Sequence, residues 1–232
     1  MAKKRITRKQ LLKGPDEFLS LTEKVALFIR EHNQEFKYIA GAVAAIILIY
    51  LGINTGIGYI NKKGQSTYNL AYRLMSAQNT DLSPESEEVK RAAELFQEVL
   101  DDYSLSKASR LALPELAYIK MVEKKYDEAI PLYQEFLDKA PENSPYQSLA
   151  RIAIATCHEA KGEFEQAIEI LNQVTSQAND LFKGQALFSL ARIYRFAGQK
   201  DKAKEVLEEF VEKYQTSPFL PLAKAHLQES HS

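Results

Sequence analysis

The chain has 232 residues, of which 45% are hydrophobic, and its 30 Lys and Arg nearly balance its 31 Asp and Glu. The charge is uneven, because residues 1–37 carry nine basic and five acidic side chains whereas residues 64–232 carry 19 and 26, a net charge of −7. An acidic body argues against nucleic acid as a partner, and the length suits one compact domain with an appendage.

The basic head, residues 1–37, contains apolar residues at helical spacing. The stripe consists of Phe18, Leu21, Val25, Phe28 and Ile29. Such a stripe beside basic residues predicts an interfacial helix that leads into a membrane. A flexible basic tail is the equal alternative.

A long apolar segment follows the head. The 24 residues from Tyr38 to Asn61 include no charged side chain. As a helix they would measure about 36 Å, against a hydrocarbon core of about 30 Å. Tyr38 and Tyr59 stand where an aromatic belt would place them. The segment therefore predicts a transmembrane helix over residues 38–61. Because the apolar core is too long and no small-x-small cleavage site follows, it is expected to be a permanent anchor rather than a cleaved signal.

Lys and Arg are more frequent before this anchor than after it. The positive-inside rule then places the N-terminus in the cytoplasm and the C-terminal domain across the membrane. In a Gram-negative bacterium this predicts a single-pass inner-membrane protein with a periplasmic domain. Gly52 and Gly56 form a Gly-x-x-x-Gly pair that could seat another transmembrane helix or a second copy of the chain. Glycine is common in membrane helices anyway, which is the alternative explanation.

Residues 64–232 repeat one pattern with a nearly constant period. Four alanines, each followed by large apolar residues four and seven positions later, are separated by steps of 37, 38 and 36 residues: Ala92, Ala129, Ala167 and Ala203. Turn glycines precede the last two, at Gly162 and Gly198. Repeats of this period predict stacked helix pairs. The fold class is therefore expected to be all-α, with an α-solenoid after the transmembrane helix.

Helix starts are predicted where a serine precedes a proline. Serine caps the first turn, and proline lacks an N–H group that would be unsatisfied there anyway. The three candidates are Ser83-Pro84, Ser144-Pro145 and Ser217-Pro218. The last of them begins a segment expected to form a single C-terminal capping helix over the final repeat.

These residues resemble the tetratricopeptide repeat. Its large-x-x-Leu-Gly/Ala-x-x-Tyr pattern, followed by Ala-x-x-x-Phe, is met best from Leu187 to Phe210. Earlier copies depart from it, with His158 and Lys120 at the aromatic position. The whole layout is similar to that of the YfgM-type ancillary subunits of the SecYEG translocon, which have a short head, one signal anchor and a periplasmic repeat domain.

The resemblance implies which residues line the concave groove. They are Tyr118, Ile152, Thr156, Phe188 and Arg192. This mixed apolar and basic lining suits an extended or helical peptide. The alternative is that some of these residues pack between neighbouring repeats. Repeats that clamp a C-terminal carboxylate carry Lys and Asn here, so that ligand is not expected.

The sequence contains no phosphate-binding loop, metal motif or recognisable nucleophile, so we expect no enzyme activity and no cofactor. Cys157 and His158 are interpreted as core residues. Glu159 and Glu163 are expected to point outward into solvent.

The leading functional hypothesis is a membrane-anchored interaction module, and the layout implies partners at the SecYEG translocon and among periplasmic chaperones. A scaffold for envelope assembly or cell division is the second hypothesis. An enzyme built from dispersed residues is a third.

Overall fold

The computed structural model describes residues 17–76, 83–141, 144–176 and 181–229. Within these ranges all regular secondary structure is helical. The helices are α1 (Glu17–Glu31), α2 (Asn33–Ser76), α3 (Glu87–Asp102), α4 (Lys107–Val122), α5 (Tyr126–Lys139), α6 (Pro145–Lys161), α7 (Phe164–Thr175), α8 (Lys183–Phe196), α9 (Lys200–Lys213) and α10 (Leu220–Glu229). The all-α prediction is confirmed for these residues.

The first of two compact units ends at Gly56 and contains α1 and the beginning of α2. Helix α1 coincides with the predicted amphipathic stripe, and Val25 and Phe28 are both 55% exposed. The side chains of Phe18 and Leu21, like residues 1–16, lie outside the part that the structure describes.

Helix α2 is longer than the predicted span of residues 38–61. Its 44 residues correspond to about 66 Å of helix. Its most apolar 18-residue window has a mean hydropathy of 2.1, and none of that window is buried. By length and composition alone, α2 is the one helix among the described residues that could cross a membrane.

The second unit begins at Ile57 and contains the end of α2 and helices α3–α10. From α4 onward, each helix packs mainly against its neighbours in the chain. Short turns join α4 to α5, α6 to α7 and α8 to α9, so the predicted helix pairs are confirmed. Helix α10 packs on α9 and buries Ala223 completely, as a capping helix should.

The end of α2 contributes side chains to the core formed by α3 and α4. Ala71 is fully buried, and the Tyr68 ring lies 5.6 Å from the ring of Phe96 in α3. The Tyr68 side chain also forms a hydrogen bond with Glu115 of α4. Burial, and then the nearby Glu115, raises the pKa of Tyr68 to about 12. The sequence indicates only the second helix of the earliest repeat clearly, and the end of α2 packs beside that helix through Ala71 and Tyr68.

The repeated alanines form the tightest part of the core. Their exposed fraction is 2% or less, at Ala92, Ala129, Ala167 and Ala203. Because an alanine side chain is a single methyl group, the two helices of a pair can approach closely around it. Large side chains fill the space beyond, with Phe96 and Phe210 fully buried.

The three turns within the helix pairs share one geometry. A residue with positive φ ends the first helix, at Lys124 (61°), Gly162 (78°) and Gly198 (74°). The next residue donates its N–H to the carbonyl five residues back, over 2.9, 2.9 and 2.8 Å in Lys125–Lys120, Glu163–His158 and Gln199–Tyr194. Glycine adopts this left-handed backbone freely, whereas a residue with a Cβ is strained by about 1–2 kcal/mol.

Only one predicted helix start matches the structure directly. Helix α6 begins at Pro145 after Ser144, although the Ser144 side chain makes no capping hydrogen bond. Helix α3 begins at Glu87 rather than at Pro84, because Ser86 caps it by accepting a hydrogen bond from the Val89 N–H. Helix α10 likewise begins later than predicted, three residues after Ser217.

Candidate functional site

The first helices of successive pairs, α4, α6 and α8, place equivalent residues along one face. Each of these residues follows a buried alanine: Tyr118 after Ala117, Thr156 after Ala155 and Arg192 after Ala191. Tyr118 is 39% exposed, and Thr156 and Arg192 are half-buried. The Thr156 hydroxyl donates to the Ile152 carbonyl of its own helix. These three predicted groove residues therefore remain partly accessible.

The other two predicted groove residues lie in the core. Ile152 is 5% exposed and packs between α6 and α8. Phe188 is 8% exposed, and its ring stacks on Phe219 with centroids 4.9 Å apart. Both residues therefore pack between neighbouring elements, which is the alternative to groove lining that the sequence left open. The role of all five in partner binding stays a prediction.

A bidentate ion pair joins α6 to α8 on this face. Arg192 Nε and Nη2 donate to the two carboxylate oxygens of Glu159 over 2.9 and 2.7 Å. The Glu159 side chain is only 13% exposed. The prediction that Glu159 points into solvent is therefore wrong, because helix α8 lies over the position that one isolated helix pair would leave open.

Glu163 is also held by the protein rather than left in solvent. Its carboxylate accepts hydrogen bonds from Lys161 over 2.8 Å and from His158 Nδ1 over 2.6 Å. Lys161, and then His158, holds the pKa of Glu163 below its ordinary value. The His158 side chain is 17% exposed, which agrees with its interpretation as a satisfied core histidine.

Two cavities open between successive first helices. The α6–α8 pocket has a volume of about 460 Å³ and is lined by Thr156, Glu159, Ala160, Phe164, Arg192 and Phe196. The α8–α10 pocket has a volume of about 570 Å³, and its lining includes Arg192, Arg195, Phe196, Lys200, Lys204 and Glu229. Arg192 and Phe196 border both pockets.

The two pockets occupy equivalent places in consecutive repeats. A step of 36 residues takes Thr156 to Arg192, Glu159 to Arg195, Ala160 to Phe196 and Phe164 to Lys200. One repeat later, the acidic position has thus become basic and the small position aromatic. Phe196, at 63% exposure, is a large ring open to solvent between the pockets. The α8–α10 pocket therefore differs from the α6–α8 pocket in the charge and size of its lining side chains.

Basic side chains dominate the α8–α10 pocket within an otherwise acidic domain. Arg195 is paired with Glu229 over 3.0 Å and contacts the Nδ1 atom of His226. Lys204 lies 3.9 Å from Glu208. Four cations and the single carboxylate of Glu229 line the pocket, and three of the cations, Arg192, Arg195 and Lys204, lie within ion-pair distance of a carboxylate of the protein.

Sequence reasoning identified Arg192 but missed most of this pocket. The missed residues are Arg195, Phe196, Lys200 and Lys204. Comparing each repeat with the next at a step of 36 residues would have found the change from acidic and small to basic and aromatic. That these residues line one pocket together with residues of α10 depends on how the helices stack, which the repeat comparison does not show.

The single cysteine of the chain lies in the core. Cys157 is fully buried, and burial raises the pKa of its thiol to about 11. Among residues 17–76, 83–141, 144–176 and 181–229, no three His, Cys, Asp or Glu side chains form a group that could hold a metal ion.

The Gly52 and Gly56 pair lies on an open face of α2. A Cβ added at either glycine would meet no atom of the described chain within 4 Å. Between them, the Thr55 hydroxyl donates to the Leu51 and Gly52 carbonyls over 2.8 and 3.0 Å. Packing of another helix against this face stays a prediction.

Comparisons with known protein families identify the repeat over three overlapping segments of the chain. Sequence models of the tetratricopeptide repeat match residues 85–146, 120–187 and 185–217. No curated protein sequence matches the chain. Among solved structures, a crystal structure of the nearly identical TPR-like repeats of a Podosopora anserina putative kinesin light chain is similar, with a TM-score of 0.55 and 21% identity. The similarity covers 72% of this chain and 84% of that one. A second crystal structure described in the same way gives a TM-score of 0.54 with the same identity and coverage.

Proposed function

Because residues 85–217 are tetratricopeptide repeats, we propose that this chain is a membrane-anchored protein–protein interaction module. Stacked repeats bind partners through extended surfaces rather than through reactive groups. The observation that carries the proposal is the pair of equivalent pockets on either side of Phe196, in a repeat domain that follows a helix long and apolar enough to span a bilayer.

The groove proposed for the partner runs along α4, α6 and α8. Tyr118 offers an exposed ring, Phe196 a second one, and Arg195 and Lys200 offer positive charge beside it. An extended or helical segment with an apolar anchor and acidic flanks fits this order of side chains.

The anchor supports a location beside a membrane machine. Residues 38–61 are proposed to span the inner membrane, with the basic head in the cytoplasm and the repeats in the periplasm. Tethering raises the effective concentration of the groove near its target without any new contact. Carbonate extraction should leave the chain in the membrane, and protease added to spheroplasts should digest its repeat domain. Release by carbonate, or protection of the repeats, would overturn this topology.

The layout favours the SecYEG translocon and periplasmic chaperones as the partners, since YfgM-type subunits share this arrangement of head, anchor and repeats. Affinity purification of the full-length chain in mild detergent tests the proposal. Recovery of translocon subunits supports it, whereas their clean absence counts against this version.

A matched pair of variants tests whether the groove is responsible. Phe196 and Tyr146 are almost equally exposed, at 63% and 65%, but only Phe196 borders the two pockets. Phe196→Ala should reduce recovery of the partner several-fold, whereas Tyr146→Ala should leave it unchanged. Equal recovery with both variants would exclude the groove as the binding surface.

A scaffold for envelope assembly or cell division remains the second candidate, because a ligand segment with acidic and apolar side chains is not peculiar to one machine. Photo-crosslinking from position 196, compared with position 146, separates the candidates by the identity of the captured protein. Capture of divisome or envelope-assembly proteins instead of translocon subunits would favour the scaffold.

A further inference from the structure

The turn between α3 and α4 lies against α2 just where the apolar run of α2 ends. The Asn61 side-chain oxygen accepts a hydrogen bond from the Lys107 backbone N–H over 2.9 Å. At Gly64, an added Cβ would come within 2.5 Å of the Ser106 hydroxyl oxygen and 3.0 Å of the Tyr103 Cβ. Only a glycine permits this approach, so the turn is fixed at the level of residues 61–64.

The same turn presents an apolar side chain outward. Leu105 is 75% exposed, whereas its neighbour Ser106 is 6% exposed. The Ser106 hydroxyl accepts a hydrogen bond from the Ser109 N–H and caps α4. The backbone on one side of Leu105 is therefore held by buried contacts, while the leucine side chain itself is exposed.

Charges near the turn suit a lipid headgroup layer. Lys62 and Lys63 follow Asn61 in the chain, Lys107 donates the hydrogen bond to Asn61, and Lys63 Nζ lies 5.9 Å from the ring centroid of Tyr59. These three lysines outnumber the two aspartates that end α3. Lysine and tyrosine are the side chains that anchor proteins at the membrane–water interface.

We propose that this turn rests on the membrane surface, with the Leu105 side chain entering the interfacial layer of the bilayer. The inference rests on the proposed anchor, because it takes Asn61 as the end of the membrane-spanning segment. Gly64 follows by about 4.5 Å of helix, and the headgroup layer on each side is about 5–8 Å thick. The turn that packs on Gly64 then lies within that layer.

A second point of contact would restrain the repeat domain. An anchor helix alone leaves the domain free to tilt relative to the bilayer, whereas a turn seated in the lipid surface opposes that tilting. The groove would then be presented to its partner in one range of orientations, which lowers the entropy lost on binding.

Site-directed spin labelling of the full-length chain tests this inference. The protein is reconstituted in phosphatidylethanolamine vesicles that contain phosphatidylglycerol as the minority lipid. A nitroxide is attached at Leu105→Cys, and its collision rates with oxygen and with a water-soluble nickel chelate are compared. Cys157 is buried and its thiol stays protonated at neutral pH, because burial raises its pKa to about 11, so the introduced cysteine is the labelled one. The matched control is Leu181→Cys, which is 78% exposed and precedes α8 as Leu105 precedes α4.

The ratio of the collision rate with oxygen to the collision rate with the nickel chelate should be several-fold higher at position 105 than at position 181. Equal ratios at both positions would overturn the inference. A third label, at Ile47→Cys, tests the anchor separately. If position 47 lies in the bilayer while position 105 is as accessible to nickel as position 181, the surface contact alone is wrong. If position 47 is also in water, the proposed anchor and this inference both fail.

Discussion

Arg192 of α8 and Glu159 of α6 form a bidentate ion pair that connects two neighbouring repeats, with nitrogen–oxygen distances of 2.9 and 2.7 Å. The acidic partner is the more enclosed of the two, since the side chains of Glu159 and Arg192 are 13% and 41% exposed. Both oxygens of the enclosed carboxylate are satisfied from one guanidinium group, so the stability of the repeat stack depends on a single cation at this point.

Removal of that cation should destabilise the domain. Arg192→Ala leaves a largely enclosed carboxylate without its partner and should lower the free energy of unfolding by about 1–2 kcal/mol, allowing for screening of the partly exposed arginine. Arg192→Ala combined with Glu159→Ala should cost less than the sum of the two single changes. Thermal unfolding of the detergent-solubilised protein measures both.

A surface pair on α3 provides the control for this ion pair. Arg91 and Glu94 are 2.6 Å apart, but their side chains are 60% and 66% exposed. Arg91→Ala should change the free energy of unfolding by no more than about 0.5 kcal/mol. An equal loss for Arg91→Ala and Arg192→Ala would show that enclosure of Glu159 does not matter.

The turn between α4 and α5 can be improved by one substitution. Lys124 adopts a φ of 61° at the position that glycine occupies in the next two turns, at Gly162 and Gly198. Lys124→Gly should raise the free energy of unfolding by about 0.5–1 kcal/mol, because the relieved strain exceeds the added entropy of the unfolded chain. The reverse change, Gly162→Ala, should lower it by about 1 kcal/mol. A drop in the melting temperature of Lys124→Gly would contradict the strain at this turn.

The helix pairs could be predicted from sequence because each depends on residues close together in the chain. Ala203, Leu207 and Phe210 must face their own preceding helix whatever the later repeats do. The burial of Phe188 depends instead on its stacking with Phe219, a residue that follows the end of α9 in the chain. Glu159 likewise acquired its partner from the following repeat. The residues that pack within a helix pair can therefore be predicted from the repeat period of the sequence. The residues that are buried between pairs can be predicted only when the way the pairs stack is known.

The start of α8 packs too closely on the end of α9 to accept a side chain. A Cβ added at Gly184 would lie 2.7 Å from Cδ1 and 2.8 Å from Cε1 of the Tyr214 ring. Gly184→Ala should therefore force the ring aside and lower the free energy of unfolding by about 1–3 kcal/mol. Combining it with Tyr214→Leu, which removes the ring atoms, should recover part of that loss. If Gly184→Ala were as stable as the parent protein, the close contact would be refuted.

Stability below pH 4.5 should depend on Glu163. Its pKa is held below the ordinary value of 4.5, first by the hydrogen bond from Lys161 and then by that from His158. Such a carboxyl group stabilises the fold at pH values above 4.5, and the contribution is lost as the pH falls through its lower folded-state pKa. Glu163→Gln should therefore lower the melting temperature at neutral pH and flatten its decline in acid.

The measurement is thermal unfolding of the parent protein and of Glu163→Gln from neutral pH down to about pH 3, a range that brackets carboxyl titration. Glu94→Gln is the control, because that side chain is 66% exposed and forms a surface ion pair with Arg91. If all three proteins lose stability in parallel, proton uptake at other carboxyl groups governs the acid response. A flatter curve for Glu163→Gln alone would assign this part of the response to the carboxylate that Lys161 and His158 hold where α6 turns into α7.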